Sequence, residues 1–321
     1  MNGAVDLLVT EVLFRVATIT LAIGAGLAFA NLAVAYGLVD VVASVGRYLT
    51  LPANLPDEVG TAVLTNAVSV TAGYAMLAEF RESALLDDRA TLVAVVVNTF
   101  FGYVQHIFTY YLPVLVPILG LQVGLLYVGA RAGISLSITL VGILAGALLL
   151  RGYEYDRSGL ELAVGGDDEG SARHRHRLCE AGSKTVDRLR SIVPRLLVVY
   201  TLVVVGLETA DLESMTAVAE PLTGVLGLPG AAVPVIVVAT VDPTSGAIAL
   251  APMIGEVFTP TEAVITLLIG SLFSLTVGTV KRSIPFQYGI WGAEFGTKVI
   301  LVNVGLKAAF IVLAIVCFLV V

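Results

Sequence analysis

The architecture is decided by a stretch that occurs twice, as TFFGYVQHIFTYYLPVLVPILGLQVG (99–124) and as SLFSLTVGTVKRSIPFQYGIWGAEFG (271–296). An offset of 172 residues, without a gap, aligns the proline and two glycines of each copy: Pro113 with Pro285, Gly120 with Gly292, and Gly124 with Gly296. Self-similarity at a fixed spacing is the signature of a repeated structural unit. The sequence therefore predicts two similar halves.

The similarity extends upstream. SVTAGYAMLA (69–78) pairs with DPTSGAIALA (242–251), which matches Gly73 to Gly246, and VGRYLTLP (45–52) pairs with LTGVLGLP (222–229). We divide the chain into a first membrane repeat (1–150), a charged loop (151–193) and a second membrane repeat (194–321). Four crossings per half would make the repeats parallel, whereas five, or a hairpin that doubles back, would make them inverted, and the sequence leaves this open.

The composition indicates a membrane protein. Hydrophobic residues make up 57% of the chain, charged residues 13%, and the mean hydropathy is +0.94. Soluble domains carry about a quarter charged residues, whereas a bilayer is crossed by roughly 20 apolar residues in a helix. We expect an all-α integral membrane protein with about eight to ten membrane elements, some of them discontinuous. The lipid bilayer is thus its first partner.

The charged loop predicts the orientation in the cell membrane. Nine of the 18 Lys and Arg residues lie between Arg151 and Arg195. Because loops rich in Lys and Arg stay on the cytoplasmic side, we place this loop inside the cell and expect a multi-pass protein. The formal net charge of −7 argues against a nucleic-acid partner. No cofactor or metal site is expected from the Cys and His content.

A first pair of helix interruptions lies at TNAVSVTAG (65–73) and ATVDPTSGA (239–247). Pro243 cannot donate a helical hydrogen bond and Gly246 tolerates unusual dihedrals, so the apolar run breaks there. The polar side chains at these breaks are Asn66, Ser69 and Thr71 in the first half and Asp242, Thr244 and Ser245 in the second. Asp242 either contributes to a site within the membrane or only caps a helix at its surface.

A second pair lies at YVQHIFTYYLP (103–113) and LTVGTVKRSIP (275–285), each ending in a proline. The polar side chains here are Gln105, His106 and Thr109 in one half and Lys281, Arg282 and Ser283 in the other. Lys281 and Arg282 either lie in the membrane beside an anionic partner or extend from a surface turn to the lipid head groups. In the final segments, Arg131 and Asn303 are further polar residues, and the spacing of Glu294 and Lys298 predicts a helical ion pair.

Corresponding interruptions in two repeats are typical of transporter sites, because unwound backbone and helix ends can replace the hydration shell of a solute. We therefore predict that the polar residues of the four interruptions bind the substrate in one polar site. These twelve are Asn66, Ser69, Thr71, Gln105, His106, Thr109, Asp242, Thr244, Ser245, Lys281, Arg282 and Ser283. The two basic residues would favour an anionic solute. Motifs of hydrolases, nucleotide-binding proteins and metalloproteases are missing, so we do not expect an enzyme. An intramembrane lipid phosphatase is the minor alternative.

The breaks also resemble a known family. PTSGAIAL (243–250), GTVKRSIPFQYGIWG (278–292) and KVILVNVGLKAAFIV (298–312) are similar to the gate or nucleoside-recognition domain of spore-maturation proteins A and B. Related gate domains occur in concentrative nucleoside transporters and in ferrous iron transport protein B. The matching residues are Pro243, Ser245, Gly246, Gly278, Thr279 and Ser283, with a weaker first copy at Thr71, Gly73, Gly102, Thr109 and Tyr110. The chain has no cysteine at the breaks, so iron transport is not implied.

This resemblance implies two fused gate-like repeats and a carrier for a small polar or anionic solute, with a nucleoside-like solute as one option. A membrane scaffold of the spore-maturation kind, which does not transport, is the main alternative. A coupling ion and a homo-oligomer are compatible with the pattern and stay open.

Overall fold

The structure is a computed structural model that describes residues 50–155 and 224–320, with short helical pieces within 12–21 and 190–201. Most of the loop 151–193, and most of residues 1–49 and 194–223, lie outside the described residues. Within the described ranges the regular structure is helical, apart from one isolated bridge between Ile254 and Phe258. The expected all-α class is confirmed for this part of the chain.

The first half runs from a 3₁₀ turn at Leu51–Ala53 to a long helix that ends before the charged loop. Its elements are α1 (Asp57–Val68), α2 (Val70–Glu82), α3 (Asp88–Val97), α4 (Thr99–His106), a first π-helical segment (Ile107–Leu115), α5 (Val116–Leu119) and α6 (Leu121–Leu149). Pro113 lies inside the π-helical segment. Because proline has no N–H to donate, regular α-helical pairing is interrupted there.

The described part of the second half has four α-helices where the first half has six. It starts with a 3₁₀ turn at Gly224–Leu226, which is followed by α7 (Ala232–Val241) and α8 (Pro243–Leu250). A second 3₁₀ turn at Ala251–Met253 leads to α9 (Pro260–Gly278), a second π-helical segment (Thr279–Ser283) and α10 (Ile284–Val320). Helix α10 bends at Gly292, where φ is 75° and ψ is 168°. The corresponding Gly120, between α5 and α6, has φ 78° and ψ 164°. Only glycine adopts this conformation readily.

Three helical stretches in the described residues are long and apolar enough to cross a membrane: Asp88–Leu119, Leu121–Leu149 and Pro260–Val320. The 29 residues of α6 make a helix of about 44 Å, longer than the roughly 30 Å hydrocarbon core. The last stretch, 61 residues with a bend, has the length of more than one crossing. The expected number of eight to ten elements and the side of the loop stay predictions.

Two glycines allow close packing within the helix pairs at the breaks. A Cβ on Gly73 would lie 2.5 Å from Cβ of Asn66, where α2 folds back on α1. A Cβ on Gly246 would overlap Cβ of Ala239, where α8 folds back on α7. Any larger residue would push each pair apart, since real Cβ atoms do not approach this closely.

The described apolar core forms two clusters, and each half contributes to both. Trp291, Phe295 and Val299 of α10 pack with the buried residues of α1–α3. Conversely, Leu119 of α5 and Val123 of α6 pack with the buried residues of α7–α9. The last helix of each half thus packs against the opposite half. The candidate site described below lies between these packed halves.

Candidate functional site

A cavity of about 810 Å³ lies where the two halves meet. Its walls come from α2, α4, the first π-helical segment and α6 of the first half, and from α8, α9, the second π-helical segment and α10 of the second. Polar side chains and tyrosine rings form much of the lining. The size lies within the range of roughly 300–1,000 Å³ that small-molecule sites occupy.

Seven of the twelve predicted binding residues line this cavity: Gln105, His106, Thr109, Asp242, Thr244, Arg282 and Ser283. They come from both pairs of interruptions. The other five do not line it: Asn66, Ser69, Thr71, Ser245 and Lys281. The structure thus brings together predicted residues of the second pair of interruptions and of the break at Asp242, but not those of the first-half break at 65–73. Of the two predicted basic residues, Arg282 lines the cavity and Lys281 does not.

The three predicted residues of the first break lie away from the cavity. Asn66 is buried in α1 beneath Gly73, and its side-chain amide contacts Asn98 and the backbone N–H of Gly102. The Ser69 side chain accepts a hydrogen bond from the backbone N–H of Ala72 and so caps α2. Thr71 is exposed. Asn66 thus has a role in packing and Ser69 in capping, whereas Thr71 lies at the surface.

At the second break the same arrangement carries a charge. The Asp242 carboxylate accepts hydrogen bonds from the backbone N–H and the hydroxyl of Ser245, at 2.7 and 2.8 Å, and caps α8. Unlike Ser69, Asp242 also lines the cavity. The capping role and the role in the cavity, which the sequence presents as alternatives, are compatible in the structure.

Tyrosines connect the walls of the cavity. The hydroxyl groups of Tyr110 and Thr244 lie 2.8 Å apart, and those of Tyr127 and Ser271 lie 2.9 Å apart. Both contacts join the first half to the second. Tyr111 packs between the rings of Tyr110 and Tyr127, with centroid distances of 5.3 and 6.3 Å. This cluster fixes the shape of one side of the cavity and places hydroxyl groups along it.

Three basic side chains line the cavity: Arg131, Arg282 and Lys307. In the described part of the chain, no carboxylate lies within 4 Å of their nitrogen atoms. Asp242 is the one carboxylate among the described lining residues. Arg131 follows the start of α6 by ten residues, or about 15 Å, and so lies well inside a helix of membrane length.

The sequence analysis missed several of these groups. Arg131 and Asn303 were recognised as polar but not assigned to the site, and Tyr127, Gln287 and Lys307 were not considered. A single arginine inside a long apolar run is itself a signal, since an ionisable residue at membrane depth is costly unless it has a function. The equivalence of positions 131 and 303 under the 172-residue offset is a second signal.

The cavity offers little that would hold a metal ion. Among the residues that the structure describes, no three His, Cys, Asp or Glu side chains come together. Apart from Asp242, the charged groups of the described lining are the hydrogen-bond donors guanidinium and ammonium, which suit negatively charged oxygen atoms.

Comparisons with known proteins yield relatives without an assigned activity. The chain is 26% identical over 237 residues to the uncharacterized protein MJ0871 of Methanocaldococcus jannaschii, which covers 73% of this chain and 71% of the relative. It is 24% identical over 282 residues to the uncharacterized protein MJ0880 of the same organism, covering 87% and 89%. No protein-family model and no solved structure matches the chain.

Proposed function

We propose that this protein is a membrane carrier for a small anionic solute, and that its substrate site is the cavity between two gate-like repeats. The observation that carries the proposal is the charge of the cavity. Arg131, Arg282 and Lys307 face it, against the single described carboxylate of Asp242.

The energetic cost of these charges supports an anionic occupant. Placing a cation within a membrane costs at least ~2.5 kcal/mol even on the mildest insertion scale. No carboxylate of the described residues lies within 4 Å of the three cations, so a bound anion would offset part of this cost. The cavity would therefore bind a negatively charged solute more tightly than a neutral one.

The arrangement of the lining supports two repeats around one site. Under offsets of 172 or 173 residues, equivalent positions of the two halves line the same cavity. These pairs are Tyr74 and Ala247, His106 and Gly278, Tyr110 and Arg282, Tyr111 and Ser283, Leu115 and Gln287, and Arg131 and Asn303. Equivalent residues meet in this way when a site lies on a pseudo-two-fold axis between repeats, as in transporters that alternate access around a fixed midpoint.

The cavity also distinguishes the alternatives. A scaffold that only packs helices together needs a dry, filled interface, whereas this interface keeps about 810 Å³ and three basic side chains. A lipid phosphatase needs a nucleophile activated by a neighbouring base. The hydroxyl contacts of the cavity walls join Tyr110 to Thr244 and Tyr127 to Ser271, which is a structural pairing of neutral groups. The Ser245 hydroxyl contacts the Asp242 carboxylate, but Ser245 does not line the cavity.

The test is ligand-dependent stabilisation of the purified protein in detergent. Carboxylates and phosphate esters should raise the melting temperature, since a ligand that binds the folded state stabilises it by mass action. Neutral polar solutes of the same size, including nucleosides, should have a smaller effect. Arg131→Gln should abolish the stabilisation. Arg89→Gln, at an exposed position outside the cavity, is the matched control and should keep it.

The same variants in proteoliposomes test movement of the solute. We expect uptake of the stabilising anion by the wild-type protein and by Arg89→Gln, and none by Arg131→Gln. Anions that neither stabilise the protein nor cross the vesicle membrane would refute the carrier proposal.

A further inference from the structure

We infer that the preferred solute is an oxyanion with two negative charges, a dicarboxylate or a phosphate monoester, held at one end by the guanidinium of Arg131. This inference rests on the proposed function and makes it more specific. It follows from the net charge of the described cavity lining and from the hydrogen bond that Arg131 donates to Tyr111.

The first step is the charge balance. Of the ionisable side chains in the described lining, Arg131, Arg282 and Lys307 carry positive charge and Asp242 carries negative charge, with histidine counted as neutral. The described lining therefore carries two surplus positive charges. A monoanion would compensate one of them, and a trianion would reverse the sign. A dianion matches this surplus.

The second step is the geometry of Arg131. Its Nε donates a hydrogen bond to the hydroxyl of Tyr111 at 3.3 Å. The Tyr111 ring is itself held between Tyr103 and Tyr127, with centroid distances of 5.0 and 6.3 Å. The plane of the guanidinium is thus fixed by a packed partner on the same side of the cavity.

This contact leaves the other end of the guanidinium for a ligand. In the described residues the two terminal nitrogens of Arg131 make no hydrogen bond, and they are not sealed away from the cavity. Two parallel N–H groups match the two oxygens of a carboxylate or phosphate, which lysine cannot do. Arg131 is therefore the anchor for one charged end of the solute.

The second charge of the solute requires a second basic group. Arg282 lies in the second π-helical segment and Lys307 lies in α10, so both approach the cavity from the half opposite to Arg131. A solute charged at both ends, or a compact phosphate, can engage cations from both halves together. Binding would then couple the two halves.

The experiment measures dissociation constants of the purified full-length protein for matched series. The carboxylate series is butyrate, succinate and tricarballylate. The phosphate series is glycerol 3-phosphate against glycerol and a monoanionic methyl phosphate diester. We expect the dianion to bind at least about tenfold tighter than the monoanion of its series, which corresponds to about 1.4 kcal/mol. The series with the tighter dianion identifies the solute as a carboxylate or a phosphate ester.

Lys307→Gln tests the charge count. It should weaken dianion binding at least about tenfold and change monoanion binding by less than about twofold, so that the preference is lost. Lys307→Arg keeps the charge and should keep the preference, which separates the loss of charge from a packing defect. Lys298→Gln, outside the cavity, is the control and should match the wild type.

Each outcome decides one of the two proposals. Equal affinity for monoanions and dianions, or a preference unchanged by Lys307→Gln, would overturn this inference and leave anion transport standing. Failure of every anion to bind would instead overturn the proposed function.

Discussion

Ser69 and Asp242, 173 residues apart, hold the backbone in the same extended conformation, with φ and ψ of −144° and 108° at Ser69 and −145° and 112° at Asp242. Each ends one apolar helix and caps the next by accepting a hydrogen bond from the N–H three residues on, of Ala72 and Ser245 respectively. The two breaks therefore have the same backbone conformation but differ in charge. A carboxylate faces the cavity from the second half, where the first half has a hydroxyl directed to its own helix.

This difference gives a prediction for Asp242→Asn. Asparagine caps a helix about as well as aspartate, so the free energy of unfolding should change by less than about 1 kcal/mol. The cavity loses negative charge, so anions should bind more tightly to this variant than to the wild type. Their binding should also persist to a higher salt concentration. Thermal unfolding and anion dissociation constants at pH 7 check both expectations. Asp242→Ala is the comparison, because it removes the cap and should cost about 0.5–2 kcal/mol. Weaker anion binding by Asp242→Asn would contradict the assigned role.

The close helix contacts at the breaks predict the effect of Gly73→Ala and Gly246→Ala. The added methyl group would meet Asn66 in one case and Ala239 in the other, and both neighbours belong to packed helices that cannot move freely. We expect each substitution to destabilise the protein by about 1–3 kcal/mol. Gly289→Ala is the matched control, since a Cβ there meets nothing within 4 Å. It should leave the melting temperature unchanged or raise it. Tolerance at positions 73 and 246 would show that the helix pairs are looser than described.

The positions of the breaks were predictable because they follow from residues with special backbones. Pro243 and Gly246 required an interruption after Val241, and the structure has one there, at Asp242. Pro113 lies inside the first π-helical segment. The second π-helical segment ends just before Pro285, at the equivalent place in the repeat. These features are local, and a single sequence carries them.

The composition of the site was less predictable, because it depends on which side of each helix faces the cavity. Helix α6 is apolar around most of its circumference, so its sequence does not show that Arg131 and Tyr127 face the cavity while Leu125 is exposed. Asn66 was assigned to the site although it does not line the cavity. A polar residue at a break suggested ligand binding, but the side chain serves the packing of α1 against its neighbours. Such assignments require the tertiary arrangement.

The charged contact between Lys298 and Asp88 predicts a small, salt-dependent contribution to stability. Lys298 of α10 lies 3.1 Å from Asp88 of α3, and Arg81 approaches the other carboxylate oxygen of Asp88 at 2.8 Å, so the group joins the two halves. The side chains are nearly half exposed, which limits the contribution to about 0.2–1 kcal/mol. Asp88→Asn should lower the melting temperature slightly in low salt, and the difference should shrink in 1 M NaCl.

Glu294→Gln is the control for this ion pair. Glu294 lies 3.7 Å from Lys298 at the i, i+4 spacing that the sequence predicted, but its side chain is 92% exposed. Its removal should leave the stability unchanged at either salt concentration. A large loss on Asp88→Asn that salt does not reduce would indicate a role in packing instead of electrostatics.

The hydrogen bond between Tyr110 and Thr244 should couple the two halves around the cavity. Their hydroxyl groups, 2.8 Å apart, connect the first π-helical segment to the start of α8. Tyr110→Phe and Thr244→Val each remove one partner at nearly constant volume, and each should destabilise the protein by about 0.5–1.5 kcal/mol. The double variant should cost less than the sum, because the bond can be lost only once. In proteoliposomes, both variants should also change the rate of anion uptake, because this bond joins the two halves at the wall of the cavity. The matched cycle is Tyr288→Phe with Thr297→Val, a hydroxyl contact of 2.9 Å within α10 alone. That pair should show coupling in stability without a change in uptake, and equal effects of the two cycles on uptake would contradict a gating role for Tyr110 and Thr244.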